Sequence, residues 1–110
     1  MQIYQGNFTC WEDVQHEFQM SEPETGKVVL LAAYETPDYD GYATVVYFEA
    51  GKFHVVEASH CSCYGLEGQF APEETPLEAL LHRAENGHFY CVDGKALADL
   101  LRGIADDIAA

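Results

Sequence analysis

The run Val28-Val29-Leu30-Leu31-Ala32-Ala33-Tyr34 constrains the fold more than any other stretch of this chain. It is far short of the ~20 apolar residues that cross a bilayer. It is too continuous for a half-exposed strand, which would alternate apolar and polar positions. A buried strand covered on both faces satisfies both conditions, and we assign it to residues 28–35.

Two more strands follow. TPDYDG at 36–41 has the composition of a turn. YATVVYFEA then predicts a second strand and KFHVVEAS a third, joined at Ala50-Gly51, where glycine allows a positive φ. The three predict an antiparallel meander. Before it, Thr9-Cys10-Trp11-Glu12 has the form of a capping box. Trp11, Val14 and Phe18 then mark one face of a helix that stops before Pro23. After the meander, Thr75-Pro76-Leu77-Glu78 is a second such box, with Pro76 at the first helical position. Leu77, Leu80, Leu81 and Ala84 form that helix's apolar face, and Asn86-Gly87 ends it. HFYCV at 88–92 predicts a fourth strand. Asp93 caps a last helix with Leu97, Leu100, Leu101, Ile104 and Ile108 inward. The expected order is α-β-β-β-α-β-α, an α+β fold with a mainly antiparallel sheet and helices packed on it. A chain of 110 residues suits a single domain, 1–110.

Charge decides which partners are open to the chain. Nineteen acids oppose five bases, a formal −14. Nucleic acid and anionic membranes are repelled, because binding them needs clustered Lys and Arg. The acids are spread along the chain, and two readings remain: they keep a small protein soluble, or they form an anionic surface that docks on a basic partner. The opening MQIYQGNFTCWEDV has neither a basic region nor a long apolar run, so it does not read as a secretion signal, and a cytoplasmic location is expected. Reduced thiols are then the expectation for the four cysteines.

The chemistry-bearing residues concentrate in SHCSCYGLEGQF, residues 59–70. Three readings compete there. His60, Cys61 and Cys63 offer metal-ligand atoms, and zinc is the candidate ion. The chain would have to turn sharply to bring all three together, and the second ligand pair usual for zinc is not apparent. A thiol nucleophile would need a base such as His60 beside Cys61, but acidic surroundings oppose a thiolate. Glu57 and Glu67 are a further catalytic pairing, weakened by how common carboxylates are here. No phosphate-cradling loop is present, since neither Gly65 nor Gly68 is followed by Lys-Ser or Lys-Thr. In the third reading the stretch is an ordered loop. Gly65 and Gly68 supply unusual backbone, Tyr64 and Phe70 bury rings as anchors, and His60 and Ser62 bond loop backbone. Such a loop can also bind a partner, which makes His60, Tyr64 and Glu67 candidate contacts.

SHCSCYGLEGQF, followed by PEET and the leucine-bearing PLEALLHR, resembles a family of small acidic proteins encoded by bacteriophages and prophages. The likeness covers about residues 28–83. Members often carry Gly before the Ser and Trp after the Gln, where this chain has Ala58 and Phe70. The resemblance implies expression inside an infected bacterium and supplies no catalytic residue. Together with the charge, it leads to the expectation of a non-enzymatic protein, needing no cofactor, that binds and modulates a host protein such as nucleic-acid-handling or defence machinery. The candidate contact surface is the first turn, with carboxylates Glu35, Asp38 and Asp40 and aromatic Tyr34, Tyr39 and Tyr42. A zinc protein and a small thiol- or carboxylate-dependent enzyme are the alternatives.

Overall fold

The computed structural model describes residues 3–21, 25–36, 40–60, 65–86 and 94–109, with side chains through residue 104. Five strands form one sheet: β1 (Ile3–Gly6), β2 (Val28–Glu35), β3 (Gly41–Glu49), β4 (Lys52–His60) and β5 (Glu73–Thr75), in spatial order β1-β2-β3-β4-β5. Helix α1 (Trp11–Phe18) lies between β1 and β2 in sequence, and α2 (Leu77–Glu85) and α3 (Lys95–Ala109) follow β5. The expected α+β class and the antiparallel β2-β3-β4 meander are both present. Two short strands enlarge the expected sheet. β1 adds parallel to β2, and β5 adds antiparallel to β4. The expected strand at 88–92 and its Asp93 cap lie outside the described residues.

The continuous apolar run of β2 is explained by cover on both sides. Val29, Ala32 and Tyr34 face a cluster built with Phe8 and with Trp11, Val14 and Phe18 of α1. Leu30, Leu31 and Ala33 join a second cluster with Leu80 and Ala84 of α2 and Leu97, Ala98 and Leu101 of α3. The β2–β3 register shifts between Val29 and Leu31. That bulge lets two consecutive leucines serve the same cluster, which strict alternation would forbid. Burying each such leucine contributes about 1.5–3 kcal/mol. Ile108 lies beyond the described side chains.

The β3–β4 turn is the expected two-residue join, with Ala50 as well as Gly51 at positive φ, 54° and 81°. Both central residues of a type I′ turn need that region, and its twist matches the flanking strands.

Neither capping box forms as expected. Cys10 is the N-cap of α1 and makes no side-chain cap bond. Thr9 instead donates its N–H and its hydroxyl to Asp13 Oδ2, at 2.8 and 2.5 Å, and Glu12 takes no part. Those bonds favour the ionised carboxyl and hold Asp13 below the usual carboxylate pKa. At α2, Pro76 is the N-cap rather than the first helical residue, and the Thr75 hydroxyl bonds the Glu73 carbonyl at 3.3 Å. α1 ends at Gln19, in the left-handed region at φ 51°, well before Pro23.

Candidate functional site

The candidate residues gather where β2 ends, β3 begins and β4 ends. Tyr34 pairs with Ala43, and Gly41 pairs with His60. Side chains two apart along a strand share a face, so Tyr34 and His60 both project to the α1 side. Tyr34 Oη lies 2.5 Å from His60 Nε2, with the rings edge to face at 5.8 Å. Gly41 makes room for the imidazole, since a Cβ there would sit 2.1 Å from Nε2. Gly6 does the same for the β2 backbone: at φ 65°, its Cβ would fall 2.2 Å from the Tyr34 carbonyl oxygen.

Tyr34 is therefore not a surface contact. It is 5% exposed, and its ring lies 5.2 Å from Phe8. Burial, reinforced by the charges of Glu17 and Glu67, pushes the phenol pKa above its ordinary 10.0. The hydroxyl thus keeps its proton and can donate to Nε2. As pH rises above about 10, the unfolded chain loses this proton before the folded chain does, so stability falls. Denaturant midpoints from about pH 8 to about pH 11 should drop more steeply for the wild type than for Tyr34→Phe. Parallel curves would contradict the assignment.

His60 bonds Tyr34 through Nε2. Gln69 fastens the described part of the loop. Gln69 Nε2 donates to the Gly65 carbonyl at 3.1 Å, and Gln69 Oε1 accepts the Ser59 N–H at 3.2 Å. One side chain thereby ties loop 65–70 to β4. Glu67 accepts the Gly65 N–H at 3.3 Å. Leu66 is fully buried, and Phe70 contacts Trp11, Phe18 and Tyr47 with ring centroids 6.2, 5.3 and 6.3 Å away. Of the two glycines, Gly68 needs its special backbone (φ 77°), whereas Gly65 does not have positive φ. Asp38, Tyr39, Cys61, Ser62, Cys63 and Tyr64 lie outside the described residues. Among the described residues no group of three His, Cys, Asp or Glu could hold a metal ion.

The Glu57–Glu67 pairing is overturned. Glu57 is ion-paired with Arg83 of α2, while Glu67 follows Leu66, which is packed into the α1-side cluster. The sheet stands between the two carboxyls. One Glu57 oxygen, Oε2, is buried without a hydrogen-bond partner.

The charges divide by region. Every Lys and Arg of the chain is among the described residues. Lys27 pairs with Glu49 at 3.3 Å and Lys52 with Glu74 at 3.4 Å, both where β2 and β4 begin. Arg83 pairs with Glu57, and Arg102 with Glu85 at 2.5 Å and Asp99 at 2.9 Å. Lys95 is on α3. Of the paired bases Arg83 comes nearest to where β2 ends and β3 begins, since Glu57 stands opposite Thr44, two residues from Tyr42. That end carries half-buried Glu35, whose carboxylate lies beside Gly6, and exposed Asp40 and Glu67. Glu17 of α1 approaches closely enough to act on Tyr34. Tyr42, half-buried, stands opposite Glu35. Glu17 and Gln69 were not expected here. Glu17 falls one residue before a core position of α1, and nothing local marks that proximity.

No family model, curated protein or solved structure matches this chain. No helix among the described residues is long and apolar enough to cross a membrane.

Proposed function

We propose that this is a non-enzymatic acidic protein of the phage or prophage type, which docks on the basic surface of a host protein and modulates it. A nucleic-acid-handling or defence protein offers such a surface in the groove that holds its substrate. The observation that carries this reading is the division of charge. Lys27, Lys52, Arg83 and Arg102 pair with Glu49, Glu74, Glu57, Glu85 and Asp99, and not with the Glu35, Asp40 and Glu67 of the sheet end. Those three acids, in no ion pair among the described residues, attract an approaching cation.

Immobilised protein exposed to bacterial lysate should capture a basic protein at low salt and release it as salt rises. Added DNA should compete for that partner, while the acidic protein itself binds neither DNA nor RNA. Direct nucleic-acid binding, or capture indifferent to salt and DNA, would reject the proposal.

A further inference from the structure

At the other end of the sheet, beside the β3–β4 turn, is a groove of about 600 Å³ lined by Phe48, Lys52, Phe53, Glu74, Pro76 and Leu77, among others. That volume lies within the range of small-ligand sites. Its floor is aromatic, with the Phe48 and Phe53 rings 4.8 Å apart. The apolar surface continues past it. Val28 stands opposite Phe48 in the β2–β3 register and is 55% exposed, the one large hydrophobic so exposed among the described residues. The apolar face that α2 and α3 cover elsewhere is thus left partly open at this end.

The chain around the groove is acidic. Glu74 of β5 lines it, and the exposed Glu73 of β5 and Glu78 of the first turn of α2 flank the lining residues in sequence. Lys52 of the lining is paired with Glu74, which leaves Glu73 and Glu78 as the carboxylates for a basic ligand. A second copy of this chain is a poor occupant, because each copy carries a formal −14. An anionic lipid surface or ligand meets the same repulsion.

We propose that this groove takes one large apolar side chain presented by a lysine- or arginine-bearing peptide segment, with the basic residues lying against Glu73 and Glu78. The proposal rests on the reading that the partner is basic, and adds an anchor of a different kind. Apolar anchors in desolvated pockets carry much of the energy of protein contacts, whereas rim charges mainly set approach and selectivity.

The test uses the whole isotope-labelled protein and three synthetic peptides at low salt. One has a tryptophan between two pairs of lysines, one has serine in place of the tryptophan, and one has the tryptophan between pairs of glutamates. The lysine–tryptophan peptide should shift the amide resonances of Phe48, Phe53, Thr75 and Leu77. It should bind about tenfold tighter than the serine peptide, and the glutamate peptide should not bind. Val28→Ser together with Leu77→Ser should weaken the lysine–tryptophan peptide several-fold and leave the serine peptide unchanged. Equal binding of the two lysine peptides, with shifts centred on Glu35 and Asp40, would overturn the groove and leave the basic-partner reading standing. No binding by either lysine peptide would overturn both. Groove binding by the glutamate peptide as tight as by the lysine–tryptophan peptide would show that the acids around the groove do not select the ligand, and would overturn the proposed partner.

Discussion

Trp11→Ala is expected to destabilise the protein by about 3–5 kcal/mol, the usual cost of truncating a large buried aromatic. Trp11 opens α1, is 3% exposed, and meets Phe70 edge to face at 6.2 Å. It therefore joins a helix to the loop that follows β4. Its loss leaves a cavity between two segments far apart in sequence, and a helix of eight residues has little stability of its own with which to adjust. Denaturant unfolding followed by circular dichroism measures the effect. Phe70→Ala in the Trp11→Ala background should cost less than in the wild type, because the two rings share a contact. Simple additivity would show that they do not act together.

Gly94→Ala should cost about 3 kcal/mol, the upper end of the 1–3 kcal/mol typical of a strained backbone. Gly94 combines φ 79° with a close approach, since a Cβ would lie 2.3 Å from the Ala84 carbonyl oxygen. Its own carbonyl accepts the Ala98 N–H at 2.8 Å, which starts α3. The substitution therefore forces α3 away from α2, where Leu80, Ala84, Leu97 and Leu101 pack. Gly68→Ala is the matched comparison. Gly68 has nearly the same φ, 77°, but open space where the Cβ would go, so only the conformational cost of about 1 kcal/mol applies. Thermal midpoints should separate the two variants clearly. Equal losses would mean that the α2–α3 contact is not what Gly94 protects.

The meander was legible because its signals are local. β-branched runs mark the strands, and Ala50-Gly51 marks the turn between β3 and β4. The inward faces of α1 and of the described part of α3 were legible from helical spacing. β1 and β5 were not, being four and three residues long, too short for periodicity to register. Both are held by pairing with distant strands. The capping boxes failed because Thr9 and Thr75 have better partners in Asp13 and the Glu73 carbonyl than the pattern assigns them. Within the site, Tyr34 was indistinguishable by type from Tyr42. Only the sheet register places one in the core and leaves the other half-buried. The ion pairs Lys27–Glu49 and Arg83–Glu57 span 22 and 26 residues, so net charge was legible and its distribution was not.

That distribution is what the functional proposal depends on. The most direct test is the association rate with the captured basic partner, measured across ionic strength for the wild type and two charge-reversed variants. One variant carries Glu35→Lys, Asp40→Lys and Glu67→Lys at the acidic sheet end. The other carries Asp99→Lys, Asp106→Lys and Asp107→Lys on α3. The wild-type rate should fall steeply with salt, because charges more than ~10 Å apart are screened at 0.1 M. The sheet-end variant should associate much more slowly than the α3 variant at low salt, and the gap should close as salt rises. Equal slowing by both variants would remove the sheet end as the docking site, and a wild-type rate indifferent to salt would contradict electrostatic docking altogether.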